Sequence, residues 1–233
     1  MTKTKKIILF IFEGITEEAA LAGIFTKLIK NNRVKFYFTS GDITSDNATK
    51  PSNLKRKLGE HVKCFLEKNY LKKSNIKSVI HLLDTDGAYI DEKFIEKDNN
   101  CENFYYMTTC IKAKKVLEVI ERNKRKSNLM EILLNMNKVL STVDYKAYYL
   151  SSNLEHVLHN KINVPKCEKM KLAEKFDDMY YGKEIEFIDF ISNSSIAVSG
   201  NHKETWNYIK KDLNSLNRFS NLHLFFQENQ NSY

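Results

Sequence analysis

The sequence predicts an α/β fold built on a central, mostly parallel sheet of about four strands flanked by helices. Three observations carry this expectation. Ile7–Phe12 is a continuous apolar run of strand length without polar alternation, the pattern of a strand buried on both faces, and Val79–Leu83 is a second buried-strand candidate. Between the first run and a second strand at Val34–Phe38, the residues Leu21, Ile24, Phe25, Leu28 and Ile29 recur at helical spacing. That is a β-α-β unit, which crosses over right-handed into a parallel sheet. Finally, strand-like and helix-like segments alternate along the chain instead of falling into blocks.

The elements follow in order. After Ile7–Phe12 comes a turn at Glu13-Gly14, with Thr16 as the expected N-cap and Glu17 and Glu18 in the first helical turn. Gly41 to Asn53 is polar and contains Pro51, so a loop is expected. Leu54 to Leu71 reads as a basic helix carrying Lys55, Arg56 and Lys57. Val79–Leu83 runs into Asp84-Thr85-Asp86-Gly87, and residues 88–102 are acidic and irregular. Two helices are expected at Lys112 to Glu121 and Asn128 to Leu140, with Ser127 as N-cap between them. Tyr145–Leu150 is the fourth strand, and Ser151 to Glu155 opens another helix. From Pro165 the pattern is mainly helical, with a short strand near Leu222–Phe226.

At 233 residues, with 42% hydrophobic residues and only 7 Gly and 2 Pro, the chain suits one elaborated globular unit rather than a disordered one. The four cysteines form no C-x-x-C pair, which argues against a zinc ribbon and for reduced thiols in a cytoplasmic protein. The opening apolar run is too short for a membrane span, and no membrane association is expected.

Charge points to a polyanionic partner. The formal net charge is +8. Nine basic and two acidic residues lie between Lys50 and Lys77, and seven basic and two acidic between Lys112 and Lys126. Between Asp84 and Glu102 the sign reverses, with seven acidic and two basic. An acidic centre between two basic segments is what a nuclease needs: carboxylates for metal, cations for the phosphate backbone. The bland reading is a set of solvated helix faces. The run Arg122, Lys124, Arg125, Lys126 has two readings, charge complementarity at a helix C-terminus or phosphate contact.

Glu13 stands just beyond the first strand, and Asp84 and Asp86 just beyond another. Ligands of open α/β sheets bind outside the carboxyl ends of the strands. Clustered carboxylates repel one another and are costly to bury without a cation, which Mg²⁺ or Mn²⁺ with its preference for oxygen ligands supplies. Each acid also has a local explanation. Glu17 suits a helix N-terminus, Asp84 to Gly87 suits a polar turn, and Ser152-x-x-Glu155 matches a capping box. Glu155-His156-x-x-His159 is not the zinc-protease order of residues.

Phe12-Glu13-Gly14-Ile15-Thr16-Glu17-Glu18 followed by Leu83-Asp84-Thr85-Asp86-Gly87 resembles the Toprim domain, and most closely its overcoming-lysogenization-defect (OLD) nuclease branch. The resemblance covers roughly residues 6–160 and implies a Rossmannoid, Toprim-like catalytic domain over 1–160. A helical insertion at about 88–142 and a mainly helical extension over 161–233, packed on that domain, complete the expected organisation. It implies Glu13, Asp84 and Asp86 as catalytic residues, with Glu13, Glu17, Asp84, Asp86 and Glu155 holding Mg²⁺ or Mn²⁺. Lys55, Arg56, Lys57, Arg122, Lys124, Arg125 and Lys126 are the expected nucleic-acid contacts, and Arg218 is a late basic residue of the kind such proteins bring to a phosphate. The implied activity is hydrolysis of DNA or RNA phosphodiester bonds, in phage defence or a mobile element. The alternatives are a non-catalytic Toprim scaffold that binds nucleic acid or protein beside a separate ATPase, since no Walker A pattern is present, and a nucleotidyl transferase.

Overall fold

Strands buried on both faces need cover on both sides, and the chain supplies it. A computed structural model describes residues 6–30, 33–39 and 42–229. The first five residues, and Gly41 at the head of the expected loop, lie outside these. In chain order the first elements are β1 (Ile7–Phe12), α1 (Ile15–Leu28), β2 (Arg33–Phe38), α2 (Leu54–Lys68) and β3 (Ile76–Asp84). An inserted region carries β4 (Ile95–Lys97), β5 (Tyr105–Tyr106) and β6 (Ile111–Ala113), and leads into α3 (Val116–Leu134). Next come β7 (Lys138–Val139), β8 (Val143–Leu150), α4 (Leu154–His159), α5 (Lys166–Tyr180), α6 (Glu184–Ser192), α7 (His202–Ile209) and α8 (His223–Glu228).

The main sheet has the order β2-β1-β3-β8-β7; β2, β1, β3 and β8 are parallel and β7 is antiparallel at the edge. It is a mixed α/β, Rossmann-like fold. Along β1, Ile8, Phe10 and Phe12 join the core under α1, α5, α6 and α8, while Ile7, Leu9 and Ile11 join the core under α2, α3 and α7. This two-sided burial is why the apolar run shows no alternation. The segment after α4 covers both faces of the sheet: Phe225 of α8 packs on Phe10 at 5.2 Å between ring centroids, and Trp206 of α7 on Tyr149 at 4.9 Å. From β1 the chain moves outward to β2, then returns past β1 to β3. The reversal leaves a crevice at the carboxyl ends of β1 and β3.

Three expectations are corrected. The two helices divided at Ser127 are one helix, α3. The Ser127 hydroxyl donates back to the Asn123 carbonyl at 2.8 Å, so it bonds within the helix instead of capping a new one. The insertion is helical mainly in α3. Its first part is a three-stranded sheet, β4-β6-β5, over a small core of Ile90, Ile95, Ile111 and Leu216, and strands of two or three residues are too short to display a period. Leu222–Phe226 is not a strand but leads into α8, whose Phe225 and Phe226 both face the core.

His81 of β3 lies fully buried, with Nδ1 2.9 Å from the Tyr145 hydroxyl. Burial pushes its pKa from 6.5 down to about 3. Between those values the unfolded chain binds a proton that the folded chain refuses, so acidification favours unfolding. This one group removes about 1.4 kcal/mol per pH unit below about 6.5. Urea midpoints measured at pH 7 and pH 5 are expected to converge in His81→Phe relative to wild type; an unchanged gap would refute the assignment.

Candidate active site

The crevice collects acids from four segments. Glu13 follows β1, Glu17 lies in the first turn of α1, Asp84 and Asp86 end β3, and Glu155 lies in the first turn of α4. A fifth segment adds Asp42, from the loop after β2. The helix N-terminus at α1 differs from the expectation. Gly14, not Thr16, is the extended N-cap residue, and the Thr16 hydroxyl donates to the Glu17 carboxylate at 3.1 Å. At α4, Asn153 is the cap and accepts from the His156 amide at 3.0 Å. The capping-box reading of Ser152 and Glu155 therefore falls: Glu155 is buried and accepts from the Lys169 ammonium at 2.9 Å.

The Asp84 to Gly87 turn is anchored from beneath by Thr85. Its buried hydroxyl donates to the Ser215 carbonyl at 3.0 Å and accepts from the Ser152 amide at 2.8 Å. The Asp86 amide donates to the Ser152 carbonyl at 2.8 Å. Asp86 and Gly87 take left-handed backbone angles, φ 48° and 66°, and a Cβ on Gly87 would stand 2.4 Å from Leu216. The turn is thus bound to the end of β8 and to the chain near Leu216. The Asp84 amide also donates to Glu13 Oε1 at 3.3 Å, which joins the two strand ends.

The feature not anticipated is the position of Lys126. Its side chain is 0% exposed, and its ammonium contacts Asp42, Asp86 at 2.6 Å and Glu13 at 3.9 Å. It is not a surface phosphate contact. Arg122, one turn earlier, is also inward: Nη1 donates to the Asp86 carbonyl at 3.0 Å and lies 3.8 Å from its carboxylate. Because α3 is unbroken, neither residue sits at a helix C-terminus, so the charge-complementarity reading falls as well. Arg125 donates to the Ser45 carbonyl and Lys124 pairs with Glu92. On α2, Lys55 and Arg56 are exposed, Arg56 pairing with Glu60 and Lys57 with Asp46. Arg218 donates to the Val157 carbonyl at 2.9 Å and lies over the Phe190 ring.

Two acidic pools meet at Asp84. On one side, Glu13, Asp42 and Asp86 surround Lys126; on the other, Glu17 and Glu155 share Lys169. Burial raises the Asp84 pKa well above its ordinary value, and the charges of Glu17, Asp86 and Glu155 add to the shift. Burial, then the charge of Asp42, raises Glu13 likewise, and burial raises Glu17. Burial also opposes ionisation of Asp42, but the Lys126 ammonium outweighs it and holds Asp42 well below the usual carboxylate range. Lys126 in turn is raised: its burial is overcome by Asp42, Asp86 and Glu13. Six carboxyl groups thus face three cations, Lys126, Lys169 and Arg122, and the three left short of counter-charge, Glu13, Glu17 and Asp84, are those whose ionisation is disfavoured.

The donor set fits a hard divalent cation, being all oxygen and under-neutralised. The side chains are gathered around lysines, and among the described residues no three Asp, Glu, His or Cys side chains converge on one point as a ligand set. No helix among the described residues is long and apolar enough to cross a membrane. Comparison of the chain with protein-family models, with curated proteins and with solved structures finds no match.

Proposed function

We propose that this chain is a Toprim-like, metal-dependent phosphodiesterase that hydrolyses nucleic acid. One observation carries the reading: part-buried carboxylates in excess of their cations, backed by the buried Glu17 and Glu155, at the strand-end crevice where the sheet topology reverses. A structural salt-bridge network has no need of that excess, and burying it costs stability that a purely structural site would not retain. Glu13, Asp84 and Asp86 would hold a Mg²⁺ or Mn²⁺ ion, and Glu17 and Glu155, across Asp84, would assist. When bound, such an ion supplies polarisation of the phosphoryl group and a water acidic enough to attack near neutral pH. The chain's own residues do the rest. Thr85 and Arg122 fix the turn that carries Asp86. Lys126 keeps Asp42 ionised and pairs with Asp86. Lys169, one-third exposed at the cleft wall, orients Glu155 and faces an incoming phosphate.

Cleavage assays on single- and double-stranded DNA and RNA with Mg²⁺ and Mn²⁺ test the reading. Wild type is expected to cut at least one of these substrates, and Glu13→Ala to lower the rate on the order of a thousandfold. Inactivity of wild type, or full activity of the variant, would overturn it.

The location of Lys126 favours one other reading. An ammonium among Glu13, Asp42 and Asp86 already gives those acids a partner, as a non-catalytic scaffold would, acting in nucleic-acid or protein binding beside a separate ATPase. In that case nucleic-acid affinity is salt-dependent but indifferent to Glu13→Ala and to divalent cations.

A further inference from the structure

The acidic floor opens into a cleft of about 690 Å³, large enough for one extended small ligand or a short length of chain, with Glu13, Asp84 and Asp86 at its base. Its walls differ in chemistry. One is the aromatic segment Phe104-Tyr105-Tyr106, which includes β5 at the edge of the small sheet. The other is the start of α5, with Lys166 and Lys169.

The aromatic wall is braced. Side chains alternate along an extended segment, so Phe104 and Tyr106 turn one way and Tyr105 the other. The Arg122 guanidinium lies over both inward rings, 5.4 Å from Phe104 and 5.8 Å from Tyr106, and the same guanidinium holds the Asp86 carbonyl. Across the cleft, the Asn163 side chain accepts from the Tyr106 amide at 2.8 Å and donates to the Tyr106 carbonyl at 2.7 Å. The aromatic wall is therefore pinned to the α5 wall and, through Arg122, to the acidic turn. Tyr105 is left out of this packing. It is 49% exposed, at the rim of the cleft whose floor is the acidic crevice. Lys166, opposite, is exposed as well.

An exposed ring on a braced backbone segment at the rim of such a cleft can serve as a stacking platform, and it needs a base with a free face. In a duplex the bases are stacked on one another and the outer surface presents sugar and phosphate. In a single strand each base can splay onto an aromatic ring while its phosphate meets lysine. We propose that the cleft takes single-stranded polynucleotide, with a base stacked on Tyr105 and an adjacent phosphate at Lys166. This rests on the reading of the floor as a phosphodiesterase site.

The test is fluorescence anisotropy with a short labelled oligonucleotide, used single-stranded and annealed to its complement, in Ca²⁺ so that the floor is neutralised. The single strand is expected to bind about tenfold tighter than the duplex. Tyr105→Ala is expected to weaken single-strand binding about tenfold, Tyr105→Trp to retain it, and neither to shift the melting temperature by more than about 2 °C, because half of the side chain is exposed. Lys166→Gln is expected to reduce the slope of log affinity against log salt by about 0.7, one phosphate's share for a single strand. Equal affinity for duplex, or an unaffected Tyr105→Ala, overturns the proposal. The two readings fail separately. A wild type that cuts duplex as well as single strands, without dependence on Tyr105, keeps the phosphodiesterase and loses this inference. Tyr105-dependent single-strand binding without cleavage in Mg²⁺ or Mn²⁺ does the reverse.

Discussion

Lys126→Met is expected to lose about 3–5 kcal/mol of stability in EDTA, because it leaves the part-buried Asp42, Asp86 and Glu13 beside one another without their shared cation. For a chain of this size that corresponds to a fall of roughly 10 °C in melting temperature. The loss has a remedy that an ordinary cavity mutation lacks. Mn²⁺ can take over the neutralisation, so the variant is expected to gain more melting temperature from added Mn²⁺ than wild type does. Should the variant fail to fold in EDTA, Lys126→Met combined with Asp42→Asn supplies the check. Removing one of the stranded charges is expected to recover part of the loss, as neighbours in one network couple non-additively. Stability indifferent to Lys126→Met, or an equal response of wild type and variant to Mn²⁺, would mean that Lys126 does not stand in for a divalent cation.

Asp84→Asn is expected to act in opposite directions on stability and activity. Asp84 carries repulsion from Glu17, Asp86 and Glu155 on top of its burial. An amide of the same shape removes that charge while its oxygen and nitrogen remain able to hydrogen-bond, so the EDTA-treated variant is expected to be more stable by about 1 kcal/mol. Activity is expected to fall on the order of a thousandfold, because the two acidic pools meet at this residue. Residues that serve only the fold lose stability when substituted. A gain of stability with a loss of activity marks a group held under strain for function. A variant that is both less stable and fully active would place Asp84 among the structural residues.

The sheet was legible because burial on both faces leaves its mark on composition: Ile7–Phe12, Val79–Leu83 and Tyr145–Leu150 all lie within strands that the structure contains. The strand-end acids were legible for the same reason, since the first carboxylate after a buried run marks where the chain leaves the core. The three short strands of the insertion have no such signature. Asp42 sits in a polar loop with nothing around it to distinguish it from Asp46. Lys126 does carry a signal in the sequence. Val119, Arg122, Lys126, Leu129 and Leu133 recur at three- and four-residue spacing, so Lys126 lies on the apolar face of α3. A helix start at Ser127 would divide that face, which the single helix keeps whole. The pairing of Lys169 with Glu155 joins residues 14 positions apart on different helices, and no local spacing announces it.

In the proposed site the acids at the carboxyl ends of β1 and β3 bind a divalent cation. The most direct measurement is anomalous scattering from crystals equilibrated with Mn²⁺. The expected result is an anomalous peak among the carboxylates of Glu13, Asp84 and Asp86, absent from Asp84→Asn crystals treated in the same way. A map without a peak there, with the Lys126 ammonium still joined to Asp42 and Asp86, would contradict it.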